Sequence, residues 1–171
     1  MVIIDFEASS LRKTSHPIEV AWGDSPENIR SFLLNPDYMP GWTDWNPKAV
    51  EYHGITQKQV RRCGVDPRQV ARQMVEALAG EAVYSDEPRY DSRWKDRLLA
   101  DSGYDPSLIG IKDLNLYLNQ MIRSVDNCKT VVDFAPHFTC SRSERHRAAA
   151  DVHWLLEFVE HIRQSVAACR I

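Results

Sequence analysis

Asp5 and Glu7 stand two residues apart at the end of an opening apolar run, Val2-Ile3-Ile4. Val, Ile and Phe favour extended backbone, so this run reads as a buried strand. Alternate side chains of a strand share a face, which sets the two carboxylates side by side, roughly 6–7 Å apart. Like charges at the mouth of an apolar core repel each other and resist desolvation, and a divalent cation is the simplest compensation. Mg²⁺ suits such a place because it takes a few carboxylates together with water and substrate phosphate. Two exposed carboxylates at a strand end are the plain alternative.

Two further segments carry acids that could join this pair. Asp86 and Asp91 follow a second apolar run, Ala82–Ser85, and Asp91 falls in the first turn of a helix beginning around Tyr90. A carboxylate is favoured there by the helix dipole, so capping is the competing role for either aspartate. Near the C-terminus, His146-Arg147-Ala148-Ala149-Ala150-Asp151 sits in a helical pattern. Asp151 precedes the apolar Leu155 by four residues, about 40° from a core position, where an unpaired charge is costly. Pairing with Arg147 one turn earlier is its alternative use.

The elements that must position these residues are legible in outline. Val2–Phe6, Ile18–Trp22 and Ile29–Leu34 read as three strands with short polar connections, which suits an antiparallel meander. Residues 35–55 look irregular, broken by Pro36, Pro40, Gly41 and Pro47; Trp42 and Trp45 within them either stack single-stranded bases or pin the loop to the core. Thr56 and Asp66 each precede a Gln by three places and mark two helix starts, the second with Pro67 at its first position. Val70, Met74 and Leu78 recur at spacing four, and Gly80 supplies a stop.

Ala82–Ser85 and Leu108–Ile111 read as further strands. Tyr90, Trp94 and Leu98 mark a helix, as do Leu114, Leu118 and Met121. Thr130–Phe134 fits an extra strand or part of a loop. Ser141-Arg142-Ser143-Glu144 is a capping box that predicts a long final helix, with Val152, Leu155, Val159, Ile162 and Val166 on one face. Three meander strands followed by alternating helices and strands predict an α/β fold with a mixed sheet flanked by helices, and the order resembles that of the ribonuclease H-like fold.

At 171 residues the chain fits a single domain, 1–171, with a sizeable core. No apolar stretch approaches the ~20 residues of a bilayer span, so no membrane partner is expected. The start lacks the basic segment and cleavage site of a secretion signal, and Cys63, Cys128, Cys140 and Cys169 are scattered without metal-site spacing. Both point to free thiols and a cytoplasmic location. A net charge of −3 argues against coating nucleic acid electrostatically, yet it is compatible with gripping one strand end.

Taken in order, these residues resemble the DEDDh group of 3′→5′ exonucleases, related to polymerase proofreading subunits. That group carries Asp-x-Glu on its first strand, an Asp after a later strand, and His-x4-Asp on its last helix. Asp5 and Glu7, Asp91, and His146 with Asp151 match in type and order, over residues 1 to about 160. His53-Gly54-Ile55-Thr56 is similar to the group's His-Gly-Ile segment. Ala8-Ser9-Ser10 stands where the group commonly has Thr-Gly, and Ser85-Asp86 replaces its usual His-Asn.

The resemblance implies a three-dimensional site of defined chemistry. Two Mg²⁺ or Mn²⁺ ions would be held by Asp5, Glu7, Asp91 and Asp151, with His146 as general base on the attacking water. The implied substrate is the 3′ end of single-stranded DNA or RNA, released as nucleoside monophosphates. Backbone groups around Phe6–Ser9 would contact the terminal nucleotide, Leu11 would pack beside its base, and His53 would join the substrate site. Arg142, Arg145 and Arg147 either hold phosphates or form a solvated face. Of the middle aspartates, Asp91 is the expected ligand and Asp86 the expected turn residue. An inactive nucleic-acid or protein binding module of the same fold, and a metal-dependent hydrolase of small nucleotides, are the alternatives.

Overall fold

The computed structural model describes residues 1–125, 129–134 and 146–168. Among them the sheet has five strands in the order β3-β2-β1-β4-β5. These are β1 (Val2–Ala8), β2 (Pro17–Ser25), β3 (Asn28–Leu33), β4 (Val83–Ser85) and β5 (Ile111–Asp113). The first three form the expected antiparallel meander, and β4 and β5 add to β1 in parallel. This is the mixed sheet of the ribonuclease H-like fold.

Alternation along β1 sorts its side chains onto two cores. Ile4, Phe6 and Ala8 join Val20 and Trp22 of β2 beneath α3 (Pro67–Leu78) and α4 (Pro88–Asp101). Ile3 points the other way, with Ala21 of β2, toward α5 (Leu114–Arg123) and α7 (Ala148–Ala168). Asp5 and Glu7 share the parity of Ile3 and therefore face α7. β1 pairs with β4 only at Val2 and Ile3, so its acidic half runs on past the end of its parallel neighbour. That carboxyl-terminal edge is where open α/β sheets bind ligands.

The structure changes several expectations. Residues 47–53 form a helix, α1 (Pro47–His53): Asn46 caps it by accepting from the Lys48 N–H at 3.2 Å, Pro47 is its first residue, and Gly54 ends it at φ 69°. The two expected starts give α2 (Gln57–Cys63), capped by Thr56, and α3, capped by Asp66. The last strand begins later than Leu108, because Pro106–Leu108 is taken up in a single 3-10 turn. Residues 131–134 are a helical turn, α6 (Val131–Phe134), not a strand. Cys63 is a free, exposed thiol, and the other cysteines lie outside the described residues.

The final helix begins at Ala148, later than expected, and the Ser141–Glu144 box lies outside the described residues. What holds its start is a residue of the sheet. Glu19 on β2, 2% exposed in its side chain, accepts from the Ala148 N–H at 3.0 Å and from Arg147 Nε and Nη2 at 3.0 and 2.6 Å. A carboxylate at a helix N-terminus satisfies orphan N–H groups and complements the dipole, and the forked pair with arginine fixes its orientation.

Glu19→Ala strands the guanidinium beside the sheet. Breaking a buried pair typically costs about 3–5 kcal/mol, and a loss toward the lower end is expected here because Arg147 is partly solvated. Urea unfolding of the two proteins measures it; a loss under about 1 kcal/mol would show that the pair does not anchor α7.

Candidate active site

Five acids from three parts of the chain meet at the end of β1. Asp5, Glu7 and Asp151 form one group in which one carboxylate oxygen of each lies within 4.8 Å of the others. Asp5, Asp86 and Asp91 form a second group by the same measure, so Asp5 belongs to both. The sheet supplies Asp5 and Glu7, the first turn of α4 supplies Asp91, and the first turn of α7 supplies Asp151. Asp86, expected as a turn residue, is drawn into the second group.

Asp91 is 1% exposed and accepts from the Ser85 hydroxyl, which itself accepts from the Glu87 N–H at 2.9 Å. The β4–α4 turn is thereby folded around the carboxylate it delivers.

The electrostatics of these acids are far from ordinary. Burial, and then the charges of Asp91, Glu7, Asp151 and Asp86, raise the Asp5 carboxyl well above the usual carboxylate range. Glu7 is pushed up to about 8, first by burial and then by Asp151, Glu19 and Asp91, with Arg147 opposing. Asp91 is pushed up to about 8 by burial, although the Ser85 hydroxyl and the Phe6 N–H donate to it. Burial also raises Asp86. Without a cation Glu7 and Asp91 retain protons near neutral pH.

Hard oxygen donors, tightly grouped and partly desolvated, are the donor set of Mg²⁺ or Mn²⁺. Each of the two groups could hold a divalent metal ion: Asp5, Glu7 and Asp151 form one, and Asp5, Asp86 and Asp91 the other.

Beside the acids opens a cleft of about 560 Å³, with Glu7, Leu11, Arg12, Tyr52, His53 and His146 in its lining. His146 is not in the final helix as expected. It precedes the helix at φ 63°, a conformation uncommon for a residue with a side chain, and its ring meets Tyr52 edge-on at 6.4 Å. The adjoining Arg147–Glu19 pair fixes the chain immediately after it. His53 is buried in the lining, its Nδ1 accepting from the Ile55 N–H at 3.0 Å, and burial lowers its pKa.

Other expected site residues are placed differently. The Phe6 side chain lies in the core, so only its backbone is at the acidic edge. Ser9 is buried, with its hydroxyl on Asp44. Leu11 is 68% exposed in the cleft wall. Trp42 does not stack bases: it is buried on His16, ring centroids 5.0 Å apart, and donates to Asp101 at 2.6 Å. Trp45 packs against Ile18, Ile55 and Val60. Arg147 is engaged by Glu19, while Arg142 and Arg145 lie outside the described residues. Sequence reasoning missed Lys48 and Tyr52 of the cleft, which α1 delivers. It missed Glu19 too, whose two-residue offset from Ala21 puts it on the face of Glu7, directly across from it.

No family model matches the sequence, and no curated protein matches it. Solved structures do share its fold. Escherichia coli exonuclease I, in its zinc-bound complex with single-stranded DNA, superposes with a TM-score of 0.71 at 18% identity, over 99% of this chain and 41% of that one. Exonuclease I of the moderately thermophilic Methylocaldum szegediense gives 0.67 at 19% identity, over 95% and 40%. The chain thus spans about two-fifths of the length of the proteins it matches. No helix among the described residues is long and apolar enough to cross a membrane.

The raised carboxyls carry a testable consequence. A group whose folded pKa is raised contributes stability that is full below its unfolded value and is lost as pH rises through the folded value. For Glu7 and Asp91 that loss runs from ordinary carboxylate pH to about 8. His16, lowered to about 4 mainly by burial, and His53 act oppositely, costing stability as pH falls below about 6.5. Above that pH the carboxylates dominate among the shifted groups. Chelated protein is therefore expected to lose Tm between about pH 6.5 and 8, and Mg²⁺ or Mn²⁺ to restore it most at the alkaline end. A Tm in chelator that stays flat across this window, or a metal effect that shrinks with pH, contradicts the site.

Proposed function

We propose that this chain is a metal-dependent 3′→5′ exonuclease acting on single-stranded nucleic acid and releasing nucleoside monophosphates. The observation that carries the reading is the pair of carboxylate groups sharing Asp5, set at the edge of a cleft of about 560 Å³. The shared fold with exonuclease I, solved with bound single-stranded DNA, supports it. When bound, two ions in such groups polarise the scissile phosphate and water, and stabilise charge on the departing oxygen.

The chain's own residues do the rest. Asp5, Glu7, Asp91, Asp86 and Asp151 would hold the ions, Asp5 and Glu7 from β1 and Asp91 and Asp151 from the first turns of α4 and α7. Arg12 and Lys48 in the cleft lining offer positive charge to the strand's phosphates. Leu11 and Tyr52 present apolar surface to the terminal base, in the manner by which single-strand sites hold bases without reading them. His146, exposed at the cleft, takes the proton from the attacking water. Water adds to phosphorus, the bond to the 3′ oxygen breaks, and that oxygen takes a proton from solvent water while His146 returns its own to solvent, leaving a 3′ hydroxyl on the shortened strand.

End-labelled single-stranded DNA and RNA with Mg²⁺ or Mn²⁺ test this. Mononucleotide release is expected to stop on chelation and with a blocked 3′ end, and to survive a blocked 5′ end. His146→Ala is expected to reduce turnover by about 10²–10⁴-fold, the usual contribution of a general base. Activity that persists in chelator, or a fully active His146→Ala, rejects the mechanism.

The two middle aspartates separate by burial. Asp91→Asn, at the enclosed position bonded to Ser85, is expected to abolish hydrolysis with the fold intact by circular dichroism. Asp86→Asn is expected to retain substantial activity. The reverse ranking would assign the stronger ligand to Asp86.

A further inference from the structure

The loop joining β1 to β2 brings Ser10, Leu11 and Arg12 into the cleft lining. With Leu11 mostly exposed, burial of its own side chain does not hold it in place. What holds it is a carboxylate outside the five clustered acids. Asp44 Oδ2 accepts from the Ser9 hydroxyl at 3.2 Å and from the Ser10 hydroxyl, and its Oδ1 accepts from the Thr14 hydroxyl and Arg12 Nη1 at 3.2 and 3.3 Å.

The same serine hydroxyls accept backbone N–H groups of the loop: His16 donates to Ser9 Oγ and Arg12 to Ser10 Oγ, each at 3.1 Å. The Asn46 N–H donates to the Ser9 carbonyl at 2.9 Å, tying the loop to the segment that carries Asp44. The Asp44 side chain is only 8% exposed. From the opposite side, Arg93 of α4 reaches the Leu11 carbonyl at 3.4 Å and Trp94 donates to Ser15 Oγ at 2.9 Å. Partial burial works to raise the Asp44 carboxyl, but the hydroxyls of Ser10, Thr14 and Ser9 and the Arg12 guanidinium outweigh it and hold it below its ordinary value.

We propose that Asp44 is a positioning residue: by gathering four donors of the β1–β2 loop it fixes Leu11 and Arg12 as a preformed wall, and so sets how tightly the 3′-terminal nucleotide is gripped. The proposal rests on the exonuclease reading above and deepens it. A loop without this carboxylate would have to order itself on each binding event, at a cost to affinity. The wall touches the terminal nucleotide equally before and during reaction, so its loss acts on KM more than on kcat.

The test compares wild type, Asp44→Asn, Leu11→Ala and the double variant on single-stranded oligonucleotides ending in a normal or an abasic 3′ nucleotide. Asp44→Asn is expected to raise KM about tenfold with kcat within about twofold, and to erode the preference for a base at the 3′ end. In the Leu11→Ala background its further effect is expected to be below about twofold, because both changes remove one grip.

Amides of residues 9–16 are expected to exchange hydrogen faster in Asp44→Asn, while those of β1 and the Mg²⁺-induced rise in Tm stay as in wild type. Thr14→Val, which removes one donor and keeps the carboxylate, is expected to shift KM the same way by less, and decides the matter should Asp44→Asn fail to fold. Wild-type KM and base preference in the folded variants, full additivity with Leu11→Ala, or unchanged exchange in the loop each overturn the proposal. If the wild type releases no nucleotide, the exonuclease reading falls, and exchange in residues 9–16 still decides whether Asp44 orders the loop.

Discussion

Mutual repulsion around Asp5 is the constraint on which the rest of the structure depends. Asp5 shares 4.8 Å neighbourhoods with Glu7 and Asp151 on one side and with Asp86 and Asp91 on the other, and burial strips water from Asp5, Glu7 and Asp91. A chain does not gather five acids in this way for stability, since each desolvated like charge works against the folded state. The gathering has to be imposed by stronger packing elsewhere. It is: Ile3 and Ile4 of β1 are fully buried in the two cores, and Val152, Leu155 and Val159 of α7 close over the sheet face from which Asp5 and Glu7 project. The acids are held together by apolar burial that they themselves oppose.

How much of this was legible in the sequence follows from the range of each signal. The parity of Asp5 and Glu7 needs only the two-residue period of a strand, so their shared face was readable at once. The starts of α2 and α3 were readable because Thr56 and Asp66 act on N–H groups two or three residues away. The same local grammar was present for α1, with Asn46, Pro47 and Gly54 in the right places, but the density of prolines and tryptophans around it masked a seven-residue helix.

What the sequence hid are the partners that lie far apart along the chain. Glu19 and Ala148 are 129 residues apart, and Ser9 and Asp44 are 35 apart. Neither spacing has a periodicity from which it could be read. The final helix shows the effect most clearly: a local capping box pointed to Ser141, whereas a carboxylate on β2 caps the helix at Ala148. Moving that start placed His146 in a positive-φ turn ahead of the helix, and no reading of a helical wheel would have put it there.

Two acids near the cleft escape the repulsion, and the manner of their escape explains why they can organise it. Glu19 lies directly across from Glu7 and adds to its upward shift, yet it takes a forked arginine and a helix N–H, and that same Arg147 partly offsets the charge on Glu7. Asp44 is supplied with three hydroxyls and a guanidinium, and its charge is not among the causes that raise Asp5, Glu7 or Asp91. Both are satisfied within the protein, so neither invites a cation. Asp5 is raised by burial and by the charges of four neighbouring carboxylates, a crowding that a cation would relieve. The division is thus written in the surroundings of each carboxylate, not in residue type: donors of the protein hold Glu19 and Asp44, whereas Asp5 is crowded by four other carboxylates.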